Sequence, residues 1–344
     1  MVAGLGTAMN VRALLTVLRL PHLWARWQLL RDVEPFLRLQ FLSFAWESGL
    51  LEALRSPASR EDLFERLRVQ RTDLLEVALD LGVALKELSR REGRYAIQGR
   101  RSRALLHDDG DPLAAMIQEL LTYHGSVYQH LAERLRGAPL GAYLEKTGTM
   151  IARSSRVSEP FIASFVRAVV GADRPVRLLE IGCGSGIYLR YAAEANARVT
   201  GVAIDLQESV VEQALANLQS WGISDRFAVV VGDIRNPPAD VSGPFDLITL
   251  HQNVYYFAPE ERPDLFRRLR SWLAPHGTLA LTSMMRGKTL AALDFDLALR
   301  STVGCAALPE LQELTGQLEG SGFSQVGATR LMPLEPLYGV TARS

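Results

Sequence analysis

The chain has 344 residues, which exceeds one average hydrophobic core and predicts two domains. Its 38 Lys and Arg residues balance 38 Asp and Glu residues, so no net charge draws it toward nucleic acid or an anionic membrane. The two cysteines, Cys183 and Cys305, suggest no disulfide framework, and no Cys or His cluster has metal-ligand spacing. We therefore expect a cytoplasmic protein without a bound metal.

The N-terminal segment from Val11 to Asp32 is apolar but is interrupted by four arginines and by Pro21. A signal peptide would have a cleaner apolar core, and a membrane span would need a long apolar run with few charges. We therefore predict an amphipathic helix pair that covers an apolar surface, most simply in a dimer. A helix lying on a membrane surface is the alternative.

Three helices are predicted after this segment. The first runs from Pro35 to about Leu54 and has a wide apolar stripe. The second begins after Ser59, a capping candidate with Asp62 three residues later. The third begins after Thr72, another capping candidate.

A β-hairpin is predicted next, because Gly93 lies between two short polar arms. Helices followed by a hairpin form a winged-helix arrangement, which can bind DNA, and the predicted wing is basic: Arg90, Arg91, Arg94, Arg100, Arg101 and Arg103. The helix that would enter the groove, however, contains the carboxylates Asp73, Glu76, Asp80 and Glu87, which phosphates would repel. We therefore expect no binding to nucleic acid and interpret the arginines as a solvated face.

The loop from His107 to Pro112 indicates a domain boundary. The helical pattern after it brings four ring side chains into one region: Tyr123, His124, Tyr128 and His130. We interpret residues 111–170 as connecting helices. Such helices often roof a site that opens at the edge of a neighbouring sheet.

From Val176 the pattern alternates between strand and helix, which predicts parallel strands joined by right-handed crossovers. The five strands are predicted at residues 177–181, 197–204, 226–233, 245–250 and 275–284. A last helix, near Pro309 to Gly320, precedes two more strands at 323–331 and 337–344, which we expect to pair antiparallel at the sheet edge. The predicted fold is α/β, with a Rossmann-like, doubly wound, seven-stranded sheet behind a mostly helical N-terminal domain.

A glycine-rich loop follows the first of these strands. Gly182, Gly184 and Gly186 occupy alternate positions directly after Glu180 and Ile181, and a helical pattern begins at once. Glycines there permit positive φ and let a ligand approach the main chain closely. Because ligands of open parallel sheets bind beyond the carboxyl ends of the strands, we place the candidate site at this edge.

Two more strands of the predicted sheet end in carboxylates. Asp205 can accept hydrogen bonds from both hydroxyls of a ribose, and Asp233 with Ile234 can offer polar and apolar contact to a purine. The loop spacing is G-x-G-x-G and lacks the ending that packs a helix against a pyrophosphate. The pattern therefore favours a nucleoside as the ligand, because the chain shows no obvious binding site for a phosphate group.

LLEIGCGSG, VTGVAID, VVVGDI and FDLITLHQNVYYF, in this order, resemble the motifs of class I S-adenosylmethionine-dependent methyltransferases over about residues 160–344. The N-terminal pattern resembles the winged-helix dimerisation domain of the small-molecule O-methyltransferase group. The resemblance implies a dimerisation domain at 1–110, connecting helices at 111–170 and a methyltransferase domain at 171–344.

The resemblance also implies S-adenosyl-L-methionine as the cofactor. Its methionine part would face Gly182, Cys183 and Gly184, and Glu180 would support the loop or the amino group. Asp205 would hold the ribose. The adenine would lie against Leu206, Asp233 and Ile234, and the sulfonium would lie near His251 and Gln252.

The catalytic side departs from the pattern of that group. The histidine base of the group falls, counted back from the following helix, on Tyr255, and His251 lies four residues earlier. Three interpretations remain open. A base could come from another element, from His251, His124 or His130; Tyr255 or Tyr256 could orient or polarise the substrate; or the substrate could need little help from a base.

We therefore expect a methyltransferase that acts on an oxygen or carbon atom of a small, mostly apolar molecule in specialised metabolism. By the resemblance it would be a homodimer, and we expect no membrane contact. One alternative is an enzyme of the same fold with non-methylating chemistry, such as a cyclase or decarboxylase. The other is a non-enzymatic, cofactor-sensing regulator that uses the winged helix to bind DNA.

Overall fold

A computed structural model describes residues 16–239 and 241–344, so the first residues of the predicted N-terminal helix pair, 11–15, lie outside the described part. The chain divides into two compact units, Met1–Leu121 and Thr122–Ser344. Among the helices within the described ranges, none has the length and apolar character that crossing a bilayer requires.

The first unit contains helices and a small antiparallel sheet. Its helices are α1 (Leu23–Glu47), α2 (Leu50–Ala53), α3 (Arg60–Arg66), α4 (Thr72–Ala84), α5 (Arg100–Leu105) and α6 (Gly110–Glu119). Its strands, in the order β1-β3-β2, are β1 (Ala58–Ser59), β2 (Leu88–Arg91) and β3 (Arg94–Ile97). The predicted order of helices followed by a hairpin is present.

Helix boundaries in this unit follow local capping where the sequence offers it. The Asp62 N–H donates to Ser59 Oγ at 3.1 Å and the Ser59 N–H donates to Asp62 Oδ2 at 2.9 Å, so both residues cap α3 as predicted. α4 begins at Thr72 itself, after Arg71, so the cap predicted at Thr72 is wrong by one residue. α1 continues through Pro35. A proline removes only one backbone hydrogen-bond donor from the helix, and tertiary contacts hold the later turns in place. The helix start predicted at Pro35 is therefore wrong.

The hairpin β2–β3 turns at Glu92 and Gly93, whose φ angles of 49° and 78° are both in the left-handed region. Two left-handed residues make the tight turn that matches the twist of a hairpin, and glycine adopts that conformation without strain. Arg100, Arg101 and Arg103 lie on α5 and not on the wing, which corrects the prediction of a uniformly basic wing.

A buried carboxylate joins α1 to α5 in the first unit. Glu87 is 1% exposed, and its side chain accepts hydrogen bonds from Arg38 Nη1 at 3.0 Å and from Ser102 Oγ at 2.8 Å. Burial alone would raise the pKa of Glu87, but the bonds from Ser102 and Arg38 outweigh it and lower the pKa. The carboxylate is therefore ionised at neutral pH and fully partnered.

The second unit is built on a seven-stranded sheet with the strand order β6-β5-β4-β7-β8-β10-β9. The strands are β4 (Val176–Ile181), β5 (Val199–Asp205), β6 (Phe227–Val231), β7 (Phe245–His251), β8 (Leu273–Met284), β9 (Ser324–Arg330) and β10 (Leu337–Arg343). β4 to β8 pair in parallel, and β10 pairs antiparallel with both β8 and β9. The predicted doubly wound sheet is confirmed, including the final antiparallel pair.

Helices connect and flank the strands of this sheet. They are α7 (Gly125–Arg134), α8 (Leu144–Ser154), α9 (Glu159–Val170), α10 (Ile187–Ala195), α11 (Glu208–Ser220), α12 (Arg262–Trp272), α13 (Leu290–Arg300) and α14 (Leu311–Gly320), and a π-helical turn, Leu120–His124, leads into α7. One apolar cluster contains Ile248 and Phe266, and another contains Leu178 and Leu189. The helix α13 was not predicted from the sequence; the Thr289 hydroxyl caps its start by accepting the Ala292 N–H at 3.3 Å.

We predict that Glu87→Ala destabilises the hairpin and α5 by about 3–5 kcal/mol, because it leaves the Arg38 guanidinium without its buried partner. Hydrogen exchange of the β2, β3 and α5 amides measures this local free energy of opening. Glu76→Ala is the matched control, since it breaks a half-exposed ion pair with Arg60 and should cost less than about 1 kcal/mol. Equal protection in both variants would contradict the role of Glu87.

Candidate active site at the carboxyl edge of the sheet

The glycine loop after β4 is tied to the end of β5. The N–H groups of Gly182 and Cys183 both donate to the Ile204 carbonyl, at 2.8 and 3.2 Å. Gly182 has a φ of 67° and Gly184 a φ of 53°, as the alternate glycines predicted. The loop therefore turns sharply where the two strands finish.

The surroundings of the loop differ from one glycine to the next. A Cβ at Gly182 would lie 2.6 Å from Asn253 Nδ2, whereas a Cβ at Gly184 would meet no atom within 4 Å. Asn253 Nδ2 also donates to the Ile181 carbonyl at 2.5 Å. Gly182 thus faces packed protein, and Gly184 faces open space in which a ligand can approach the main chain.

Asp205 ends β5 directly beside this loop. Its Oδ2 accepts the Gly184 N–H at 3.0 Å, and its Oδ1 accepts the Gln207 N–H at 3.2 Å. Each carboxylate oxygen can accept a further bond, so two hydroxyl groups could still be held. Leu206 follows with 66% of its surface exposed, which is the kind of apolar surface on which a flat ring can lie.

Asp233 lies two residues after β6. Its Oδ1 accepts the Arg235 N–H at 2.9 Å, and the Arg235 guanidinium is 3.6 Å away. Ile234 is only 4% exposed and packs in the core, which limits the contact its side chain can make with a ligand.

A group of four polar residues lies on one face of the sheet, near the carboxyl ends of β4, β7 and β8. The parallel register sets Glu180 beside Thr249 and His251 beside Thr282. Because side chains two residues apart on a strand share a face, these four residues lie on the same side. Thr249 interrupts an apolar run in the sequence and Thr282 ends one, and those positions were the local signal that could have revealed them.

Glu180 is 1% exposed, and its only hydrogen bond among the described residues is from Thr249 Oγ1 to its Oε2, at 3.3 Å. Its Oε1 has no partner there. Burial raises the pKa of Glu180 to about 8, although the bond from Thr249 acts in the opposite direction. A cationic hydrogen-bond donor would stabilise an acceptor oxygen in this environment.

His251 is 5% exposed, and its Nδ1 lies 3.1 Å from the Thr282 hydroxyl. Its ring centre is 4.7 Å from that of Tyr188 on α10. Burial lowers the pKa of His251 to about 3, so the ring is neutral at physiological pH and is a weak proton acceptor. Gln252 is fixed against β8, because its N–H donates to the Thr282 carbonyl at 2.8 Å and its Oε1 accepts the Met284 N–H at 3.0 Å.

Cys183 and the two tyrosines occupy buried or partly buried positions around this edge. Burial, with the nearby charges of Asp205 and Glu180, raises the pKa of the Cys183 thiol and makes it unreactive. The Tyr255 ring lies 5.0 Å from the Tyr256 ring and 5.4 Å from the Phe295 ring on α13. These rings form an aromatic wall next to the carboxyl end of β7.

A second polar cluster surrounds His124, the last residue of the π-helical turn. His124 Nδ1 is 2.5 Å from Asp294 Oδ2, and the Tyr128 hydroxyl donates to Asp294 Oδ1 at 2.7 Å. Burial raises the pKa of Asp294, but the bonds from His124 and Tyr128 outweigh it and lower the pKa. Sequence reasoning had singled out His124 and missed Asp294, which is 170 residues away in the chain.

The predicted site residues thus fall into three groups. The glycine loop contacts Asp205 directly, while Glu180 and His251 lie at the ends of the paired strands β4 and β7, with Gln252, Tyr255 and Tyr256 following β7. Asn253 and Thr249, which were not predicted, also contact this region. Asp233 and Ile234 follow the next strand outward, β6. His124 belongs to the cluster around Asp294.

Comparison with known proteins agrees with this architecture. Residues 178–277 match a family model described as a methyltransferase domain. A catechol O-methyltransferase from Mycobacterium tuberculosis is 39% identical over 88 residues, which cover 24% of this chain and 39% of that protein. The chain spans less than half the length of the curated relatives it matches.

Solved structures match over nearly the whole chain. The mitomycin 7-O-methyltransferase MmcR superposes with a TM-score of 0.76 at 18% identity, covering 93% of this chain and 97% of that one. Human N-acetylserotonin methyltransferase, solved in complex with SAM, gives a TM-score of 0.69 at 19% identity with the same coverage of both chains. The protein therefore has the fold of these S-adenosylmethionine-dependent methyltransferases, and residues 178–277 are similar to a methyltransferase domain.

Proposed function

We propose that the protein is an enzyme that transfers a methyl group from S-adenosylmethionine to a small, mostly apolar molecule in specialised metabolism. The observation on which this rests is the Gly184 N–H bond to Asp205, which makes the glycine loop and an acidic strand end into one cradle. The similarity to structures named as small-molecule methyltransferases supports the proposal. We propose a cytoplasmic location, in keeping with the two unpaired cysteines.

The residues at this edge fit the cofactor group by group. The methionine part would lie along Gly182, Cys183 and Gly184, where the main chain is approachable. Its ammonium group suits Glu180 Oε1, a buried acceptor without a hydrogen-bond partner among the described residues. Asp205 has lone pairs for both ribose hydroxyls, and Leu206, Asp233 and Ile234 would border the adenine.

His251 and Gln252 are assigned to the neighbourhood of the sulfonium. The bound cofactor supplies the methyl group and a thioether leaving group. Burial holds the pKa of His251 at about 3, so its neutral ring does not repel a positive charge beside it. Gln252 is held by β8 and keeps this segment in place. Tyr255 and Tyr256 would line the acceptor side and orient an apolar or aromatic substrate.

We also propose that the N-terminal unit acts as a winged-helix dimerisation domain. Several large apolar side chains on α1 are exposed: Trp24, Trp27, Leu29, Leu30, Val33 and Phe36. A second copy of this helix surface could cover them, and the balanced charge of the chain does not oppose self-association.

We predict that Leu30→Glu shifts the protein from dimer to monomer, because a buried carboxylate would replace an apolar contact at the centre of this surface. Sedimentation velocity measures the change. Leu334→Glu is the matched control, since Leu334 is 81% exposed in the second unit and lies outside the proposed interface. A wild-type monomer, or a Leu30→Glu dimer, would contradict the assignment.

We predict that Asp205→Ala weakens the binding of S-adenosylhomocysteine by at least about 100-fold. The variant loses two charge-assisted bonds to ribose, each worth about 1.5–3 kcal/mol, and also the bond that holds Gly184. Isothermal calorimetry measures the affinity. The exposed Asp225, in the turn before β6, gives the control Asp225→Ala, which should bind normally. Unchanged affinity of Asp205→Ala would disprove the ribose assignment.

We predict that Glu180→Gln stabilises the cofactor-free protein near neutral pH. The pKa of Glu180 is about 8 in the folded chain and about 4.3 in an unfolded one, so folded-state stability is lost as pH rises between these values. Glutamine removes this loss, and the gain in thermal midpoint should appear near pH 7 and vanish near pH 4.

The same variant should weaken the binding of S-adenosylhomocysteine and flatten its pH dependence. Wild-type affinity should rise by up to about tenfold per pH unit below pH 8, as Glu180 releases its proton to hold the ammonium group. Calorimetry between about pH 6 and pH 9 measures both effects, with the exposed Glu212→Gln as the control. A wild-type affinity independent of pH would contradict this role.

A further inference from the structure

We propose that His124 and Asp294 form a proton-accepting pair, so that the methyl acceptor is an aromatic or enolic hydroxyl group. This inference rests on the methyl transfer proposed above and specifies the substrate class. The pair comes from two elements that sequence reasoning did not associate, the π-helical turn before α7 and the helix α13. It lies apart from the position after β7 at which a histidine was expected.

His124 and Asp294 form a close, partly buried contact. His124 is 7% exposed, and its Nδ1 lies 2.5 Å from Asp294 Oδ2. An ionised carboxylate at that distance holds the proton on Nδ1, so the basic lone pair of the imidazole is on Nε2. The Tyr128 hydroxyl donates to the other carboxylate oxygen and fixes the carboxylate orientation. The pair therefore has the arrangement in which a carboxylate orients a histidine base and stabilises its protonated form.

Asp294 lies on α13 beside a residue that packs against the proposed cofactor edge. Asp294 and Phe295 are neighbours on α13, and the Phe295 ring is 5.4 Å from the ring of Tyr255. Tyr255 follows the carboxyl end of β7, where the cofactor is proposed to bind. The Tyr123 ring, adjacent to His124, packs 5.2 Å from Tyr143. The helix α13 thus carries both Asp294 and a ring that packs against the proposed cofactor edge, and further aromatic side chains lie beside His124.

The other histidines considered lack a buried carboxylate partner among the described residues. Burial lowers the pKa of His251 to about 3, and its Nδ1 is engaged by Thr282. His130 is exposed, and its Nδ1 lies 2.9 Å from the Ser126 carbonyl of its own helix. Tyr255 stands at the expected histidine position, but a neutral phenol accepts a proton poorly. The buried histidine with a carboxylate partner is His124.

The chemical step balances without further reactants. The acceptor oxygen forms a bond to the methyl carbon, and the carbon–sulfur bond breaks with its electron pair passing to sulfur. His124 Nε2 takes the hydroxyl proton, the Asp294 carboxylate stabilises the resulting imidazolium, and the proton later passes to solvent. A carboxylate or a free amine would need no such base before attack, whereas a phenol or an enol would.

The test uses the full chain, methyl-labelled S-adenosylmethionine, and two sets of phenols. Alkylphenols are protonated in the assay buffer, whereas nitrophenols are already largely ionised there. His124→Gln and Asp294→Asn remove the base and its orienting carboxylate. The chain offers a matched control in His107 and Asp109, an exposed pair in the first unit with an Nδ1–Oδ1 distance of 2.7 Å. His107→Gln and Asp109→Asn should leave methylation unchanged.

We expect His124→Gln to lower kcat for alkylphenols by at least about 100-fold, with KM changed only a few-fold. For nitrophenols the loss should shrink to a few-fold, because the acceptor needs no deprotonation. Asp294→Asn should show the same pattern with a smaller loss, of about 10- to 100-fold. Equal losses for both phenol sets, or losses in KM alone, would indicate a structural role and overturn the inference.

Binding of S-adenosylhomocysteine, measured by calorimetry, separates this inference from the proposed function. Both variants should bind it like the wild type, which also shows that they are folded. If the wild type binds it but methylates only amines, carboxylates or carbon atoms, the base assignment fails and the methyltransferase proposal stands. If the wild type does not bind it, the proposed function fails.

Discussion

The hydrogen bonds between the glycine loop and the end of β5 are the constraint on which the rest of the site depends. The Ile204 carbonyl accepts from Gly182 and Cys183, and Asp205 accepts from Gly184, so the loop cannot move without the strand. The parallel register then places Glu180 and His251 on one face of the sheet, at the strand ends next to the loop. The geometry of the proposed cofactor cradle is thus set by strand pairing, before any ligand contributes.

Much of the second unit could be predicted from sequence, because its signals are local. Apolar runs that end in glycine or a carboxylate mark the carboxyl ends of β4, β5 and β6, and parallel strands bring those ends to one edge. The hydrogen-bond partners of the buried histidines could not be found this way. Thr282 reaches His251 only through strand register, and Asp294 meets His124 across 170 residues of chain. Neither pairing leaves a periodic pattern in the sequence.

The first unit shows where local rules compete with tertiary contacts. Ser59 and Asp62 form the predicted cap, because both halves of that motif lie within four residues. Pro35 is a strong local signal for a helix start, yet α1 passes through it, since packing of Phe41, Leu42 and Ala45 holds the later turns. Six arginines in and after the hairpin suggested one basic wing, but three of them lie on α5.

Three buried polar atoms near the glycine loop lack hydrogen-bond partners among the described residues: Glu180 Oε1, His251 Nε2 and Asn253 Oδ1. Each such atom costs a folded chain about 1–3 kcal/mol, which is a large fraction of typical domain stability. A ligand that supplies the missing bonds binds only the folded state and shifts the folding equilibrium toward it. Under the proposed function, the lifetime of this protein in a cell would follow the supply of S-adenosylmethionine, and scarcity of that ligand would reduce the amount of folded protein.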